Sequence, residues 1–268
     1  MLLGLVNLAL AGSRGPVMEL IFVIIFYYNR KKIRIFFKKK IESVDIENVH
    51  EIFEPIKISE NLLGPNDNLI IQSFSIPSSY KVVGMTSDYE SWILSCLSKV
   101  SDNIFEFGTC SGKNTMLMAL NSKESSKIIS LTLNQNQSKK LSLDKKDNNI
   151  SYRNIVNESN YEKFLFSGKE IEKKIEVIFI DSRELDTKKY LGKFDLIFID
   201  GGHTYSIVKS DTEKAFEMIS DRGIIIWHDY VVGKESCKDI CKFINEIEKE
   251  KKIFHIKNTS MCYFRNNS

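Results

Sequence analysis

Four short apolar runs in this chain each end on residues that can do chemistry. Ile104-Phe105-Glu106-Phe107 leads into Gly108-Thr109-Cys110-Ser111-Gly112, and EVIFI (176–180) leads into Asp181-Ser182. FDLIFI (194–199) leads into Asp200-Gly201-Gly202-His203, and GIIIW (223–227) into His228-Asp229. In the first turn, Gly108 and Gly112 let the backbone approach a ligand closely, and the helix beyond presents free N–H donors. Glu106 beside them disfavours a nucleotide phosphate and suits a ligand carrying an ammonium group. The absence of GxGxxG counts against a dinucleotide. A single aspartate after a strand is commonly just a helix N-cap; three in succession, two joined by histidine, point to a shared site. A neutral imidazole, with a reference pKa of about 6.5, suits a general base near neutral pH. His203 and His228 are the candidate bases, and Asp229 the group to orient or stabilise one of them. Asp200, His228 and Asp229 also form a mixed carboxylate and imidazole set of the kind that suits divalent ions. His50 and His255 stand in ordinary surroundings and read as structural.

These turns need elements to hold them. Ser87-Asp88-Tyr89-Glu90 is a capping-box sequence, followed by Trp92, Ile93, Cys96, Leu97 and Val100 at helical spacing. A helix is expected after Gly112 through Leu117 and Leu120, then a strand over Ile128–Leu133. The polar, Asn- and Lys-rich region 134–172 predicts one helix and surface excursions. Strands are expected over Glu176–Ile180, Asp195–Ile199 and Ile224–Trp227. A helix between the last two carries Ile207, Val208, Ala215, Phe216 and Ile219 on one face. A helix over about 234–249 and strands at 253–256 and 261–264 complete the chain. Short continuous apolar strands alternating with helices predict an α/β fold. The expectation is a doubly wound, Rossmann-like, mostly parallel seven-stranded sheet with helices on both faces, plus an N-terminal extension. Such sheets bind ligands at the carboxyl ends of their strands, where all four turns fall.

The composition of the 268 residues, 43% hydrophobic and 27% charged, is that of a globular chain with a buried core and excludes intrinsic disorder. Five scattered cysteines, with Cys237 and Cys241 spaced CxxxC, exclude a disulfide scaffold and read as reduced thiols of a cytoplasmic protein. Eight basic residues against Glu19 alone give residues 1–40 a charge of +7, which leaves residues 41–268 at −4 of the chain's net +3. A mildly acidic body argues against a nucleic-acid partner. The expected organisation is an apolar and basic arm (1–40), a cap (41–84) and a main domain (85–268). The apolar runs Leu2–Ala11 and Leu20–Tyr28 are each shorter than the ~20 residues of a spanning helix. Residues 20–40, with NRKKIRIFFKKK (29–40), are read either as a peripheral contact with the inner face of a membrane or as a segment packed on the domain. Residues 1–17 lack both Lys and Ile, which marks Met18 as a candidate start.

FEFGTCSGKNT (105–115), FDLIFIDGGHTYSIVKSDTEKAF (194–216) and GIIIWHDY (223–230) resemble class I S-adenosylmethionine-dependent methyltransferases, and more narrowly the macrolide and antibiotic-sugar O-methyltransferase branch. The resemblance runs from about residue 85 to the end. It implies that Glu106, Gly108, Thr109 and Gly112 surround the methionine part of S-adenosylmethionine, with Asp181 and Ser182 near the adenine. Asp200 would close the methionine side, and His203, His228 and Asp229 would meet an acceptor hydroxyl of a sugar or glycan intermediate. Some relatives bind a divalent metal such as Mg²⁺ at these strand ends. Here Gly202 stands where they have a second Asp and His228 where they have Asp or Glu. The acid that usually holds the ribose hydroxyls is replaced by Thr132 or Asn134, neutral partners whose bonds are roughly half as strong. The expected function is therefore in-line methyl transfer to a hydroxyl. The alternative is a catalytically inactive methyltransferase-like binding domain, in one version a membrane-associated scaffold. A homo-oligomer is compatible with either.

Overall fold

The computed structural model describes residues 41–44, 71–76, 86–145 and 147–266, all within one compact unit, Ile41–Ser268. The arm 1–40, its membrane contact and most of the cap lie outside the described residues. No helix among the described residues is long and apolar enough to cross a membrane.

Strands β1 (Glu42–Val44), β2 (Asn103–Phe107), β3 (Lys127–Thr132), β4 (Ile175–Phe179), β5 (Phe194–Ile199), β6 (Ile219–Trp227), β7 (Phe254–Ile256) and β8 (Cys262–Arg265) form one sheet in the order β1-β7-β8-β6-β5-β2-β3-β4. All pairs are parallel except those of β8, which runs antiparallel to β6 and β7. The helices are α1 (Asp88–Lys99), α2 (Lys113–Asn121), α3 (Gln135–Ser138), α4 (Asn149–Glu158), α5 (Tyr205–Met218) and α6 (Lys238–Ile247).

Burial on both faces explains the unbroken apolar strands. Leu196 and Phe198 of β5 point into a cluster with Ile93, Leu94 and Leu97 of α1 and Met118 of α2. Their neighbours Ile197 and Ile199 enter the opposite cluster with Val208 and Ala215 of α5 and Phe243 and Ile244 of α6. Phe198 is fully buried, so Phe198→Ala is expected to cost about 3–5 kcal/mol, read as a lower urea midpoint with an unchanged slope.

The fold class is as the sequence implies, with eight strands in place of seven. The added β1 is only three residues long and pairs with β7 at the sheet edge. The imidazole of His255 fixes it from β7, bonding Ser43 Oγ at 2.9 Å and the Thr259 carbonyl at 2.9 Å. β6 starts at Ile219, five residues before the expected Ile224, because Asp221 and Arg222 are exposed and mask the pattern. Region 134–172 holds two helices, α3 and α4, where one was expected. At Ser87 the capping box closes: Glu90 N donates to Ser87 Oγ, and Ser87 N to Glu90 Oε2 at 2.8 Å.

Candidate active site

The chain leaves β2 outward through β3 and β4, then returns to β5 on its other side, so the topological switch lies between β2 and β5. The turns after both strands are locked together there. Gly108 N donates to the Leu131 carbonyl at 2.8 Å, Asp200 N to Phe107 at 2.9 Å, and His228 N to Ile199 at 3.0 Å. Gly108 has φ +100°, and a Cβ on it would lie 2.2 Å from the Asp200 carbonyl oxygen. Of the three described non-glycine residues in the left-handed region, Cys110 (φ +45°) and Asp229 (φ +59°) lie at these turns and Asn258 (φ +62°) does not; such backbone outliers gather at functional sites.

Two adjoining cavities open at these ends. The first is lined by the turn Gly108–Ser111 together with Asp200, His203, His228 and Asp229. The second is lined by Leu131, Thr132 and Leu133 after β3, Asp181 and Ser182 after β4, and Asp211 of α5. Thr132 therefore faces the second cavity, whereas the Asn134 side chain caps α3 by accepting from Asn136 N and Gln137 N. Asp181 likewise caps the short turn Ser182–Glu184 and is gripped by the Arg183 guanidinium at 2.6 Å. Asp211 is fully buried, and its Oδ1 has no hydrogen-bond partner among the described residues.

Glu106 and Gly112 line neither cavity. Glu106 lies under the turn, fully buried, and accepts from Thr115 Oγ1 and from Ser130 Oγ at 2.5 Å. Burial pushes its carboxyl up to about 8, against those two hydroxyl bonds. Ser130 in turn meets Thr109 Oγ1 at 2.6 Å, so the glutamate braces the turn from below. Gly112 packs against the Phe166 ring, where a Cβ would approach to 2.7 Å. None of the five cysteines is in a disulfide. Cys110 lines both cavities, but burial pushes its thiol up to about 12, which removes it as a nucleophile.

The two histidines differ sharply. His228 is enclosed by carboxylates: Nδ1 lies 2.9 Å from Asp200 Oδ1 and 3.4 Å from Asp229 Oδ2, and Nε2 lies 3.5 Å from Glu90 Oε2. Burial opposes its charge, yet these acids hold its pKa well above the usual histidine value. Its Nε2 is buried without a hydrogen-bond partner among the described residues, and the surrounding acids favour the protonated, ion-paired form. His203 places Nε2 3.1 Å from Asp229 Oδ2, while its Nδ1 is buried and has no partner among the described residues. With Asp229 held well below the usual carboxylate range by the two imidazoles, despite burial, Nε2 carries the proton and Nδ1 the lone pair. Burial opposes a charge on His203 too, but the bond to Asp229 moves its pKa upward.

Asp200, His203 and Asp229 bring one donor atom each within 4.8 Å of one another, a triad in which His203 replaces the His228 expected from the sequence. They do not fit a resident divalent ion, because His228 Nδ1 already lies 2.9 Å from Asp200 Oδ1 and 3.4 Å from Asp229 Oδ2 and takes up the carboxylate oxygens an ion would need.

His228→Ala leaves buried carboxylates without their cation and is expected to cost about 3–5 kcal/mol. The wild-type pH dependence has a definite sign. A raised folded-state pKa stabilises fully below the unfolded value of about 6.5, and this contribution is lost as pH rises through the folded value. Melting temperature should therefore fall on the alkaline side in wild type, and that fall should be smaller in the variant.

Sequence patterns did not reveal Glu90, read only as a cap, or Glu158, which ends α4 in the polar region and lines both cavities. Glu90 Oε1 also accepts from Ser260 N at 2.6 Å and Ser260 Oγ at 2.7 Å, a pairing 170 residues apart that no local motif carries.

No curated protein matches the chain in sequence. Solved structures of similar shape include the O-methyltransferase TomG from Streptomyces achromogenes, involved in tomaymycin synthesis, in complex with SAM. It shares 10% identity over 68% of this chain and 82% of its own, at a TM-score of 0.47. An O-methyltransferase from Bacillus cereus in complex with SAH shares 16% over 68% and 82%, at 0.44. The SAH-bound methyltransferase PaMTH1 from Podospora anserina shares 14% over 69% and 80%, at 0.48. Residues 105–230, a little under half of the chain, match the family model described as a methyltransferase domain. That stretch carries all four strand-end turns.

Proposed function

We propose that the chain is an S-adenosylmethionine-dependent O-methyltransferase acting by direct in-line transfer on a hydroxyl of a sugar or glycan-type small molecule. The observation that carries this reading is the orphaned Nδ1 of His203 beside the first cavity, with Nε2 held by Asp229. Gly108, Thr109 and Asp200 would hold the methionine part of the cofactor, and Thr132, Asp181 and Ser182 the adenosine part, with Glu106 and Gly112 supporting the turn from behind. When bound, the cofactor supplies an electrophilic methyl group on a sulfonium. His203 accepts the hydroxyl proton at Nδ1 as the oxygen gains the methyl group, and Asp229 fixes the tautomer and stabilises the imidazolium that forms. His228 holds Asp200 and Asp229 in place. The polar side chains Lys113, Asn114, Asn154, Lys234 and Ser236 line the first cavity and suit an acceptor rich in hydroxyls. The sugar preference is supported further by the resemblance of the strand-end motifs to antibiotic-sugar enzymes.

The test is incubation of the full chain with methyl-labelled S-adenosylmethionine and a panel of sugars and nucleotide sugars. An O-methylated product is expected. Label found only on nitrogen or sulfur acceptors would overturn the O-transfer, and cofactor binding with no transfer to any acceptor would favour the binding-domain alternative.

A further inference from the structure

Four residues line both cavities: Gly108, Cys110, Glu158 and Asp200. They form the neck between the adenosine side and the side that holds His203. On the reading above, the sulfonium of the methyl donor lies in this neck, because it joins the adenosyl group to the methionyl group. The charged groups at the neck are both carboxylates, and their situations differ. Asp200 is engaged at Oδ1 by His228, at 2.9 Å, and at Oδ2 by Asn114 Nδ2, at 3.3 Å. Glu158 enters from the last residue of α4, on a different element from every other acid of the site.

We propose that Glu158 is a specificity-determining residue that lets the site distinguish the cationic methyl donor from its neutral thioether product, S-adenosylhomocysteine. A carboxylate in a partly desolvated neck attracts a sulfonium and gains nothing from a thioether, so its effect falls on one ligand of the pair. The state of the free protein is consistent with this. Burial pushes the Glu158 carboxyl up to about 7, and the charge of His203 opposes that rise only in part. A cation in the neck would complete what His203 leaves unbalanced. After transfer the cation is gone and the attraction with it, which would weaken retention of the product.

This inference rests on the methyltransferase reading, and its test separates the two. Dissociation constants are measured by calorimetry for S-adenosylmethionine, S-adenosylhomocysteine and sinefungin, whose amine places a positive charge near the sulfonium position. The proteins are the full wild-type chain, Glu158→Gln and Glu158→Asp. Glu158→Gln should weaken S-adenosylmethionine and sinefungin by about tenfold, about 1.4 kcal/mol, and leave S-adenosylhomocysteine within twofold. Glu158→Asp keeps the charge and should retain most of the preference. Equal weakening of all three ligands, or of none, overturns the proposal while the methyltransferase reading stands. Failure of wild type to bind any of the three overturns the reading itself. Should Glu158→Gln not fold, Glu158→Ser serves as the neutral replacement and is judged by the same ratio.

Discussion

Gly108→Ala is expected to abolish measurable binding of S-adenosylmethionine and to lower stability by about 2–5 kcal/mol. Both effects follow from one methyl group. At φ +100° a side chain is strained whatever space surrounds it, and here the new Cβ would lie 2.2 Å from the carbonyl oxygen and 2.6 Å from the carbonyl carbon of Asp200. Those are backbone atoms at the end of β5, so relief requires the β2 and β5 turns to separate. Separation would move Asp200 and His203 away from the cofactor turn. Gly192→Ala isolates the backbone contribution, because Gly192 has φ +62° and nothing within 4 Å of its Cβ position. That variant should cost about 1–2 kcal/mol and leave binding intact. Denaturant unfolding combined with calorimetric titration reads both quantities. Binding by Gly108→Ala within tenfold of wild type would show that the turn is not where the cofactor lies.

His203→Ala is expected to lower the transfer rate by about 10²–10⁴-fold while the cofactor affinity stays within a few-fold. On the proposed reading the imidazole meets the acceptor, and the residues assigned to the cofactor do not depend on it. Asp229→Asn should also slow transfer, because an amide in place of the carboxylate no longer fixes the proton on Nε2. The pH profile has a definite direction. The base works with Nδ1 unprotonated, and the bond to Asp229 moves the His203 pKa upward. Transfer in wild type should therefore rise with pH through an apparent pKa above the ordinary 6.5, and this limb should vanish in His203→Ala. A flat profile in wild type, or a His203→Ala variant that keeps its rate, would remove His203 as the base.

The parts of this protein that were legible in its sequence are those where chemistry follows local pattern. Buried strands such as FDLIFI announce themselves because both faces of the sheet are covered, and the turns that follow them carry polar residues where nothing in the core requires any. That was enough to single out Asp200, His203, His228 and Asp229, which the structure brings together around one cavity. It was not enough to tell the two histidines apart, since the difference lies in partners distant in the chain. Glu90 reaches His228 across 138 positions, and its role as a helix cap gave no sign of it. Glu158 was hidden for another reason: a polar stretch rich in Asn and Lys offers no periodicity from which to choose one acid. Glu106 was over-read, since an acid beside a glycine turn reads the same whether it faces a ligand or braces the turn through Thr115 and Ser130. β1 escaped notice because three residues carry too little alternation to stand out, and its place depends on His255, more than 200 residues away.

The most direct test of the central claim is calorimetric titration of S-adenosylmethionine into the full chain, with Gly108→Ala alongside. The expected result is one site of micromolar affinity in wild type and no heat of binding in the variant. The absence of binding to folded wild-type protein would contradict the assignment of these strand-end cavities to a methyl donor.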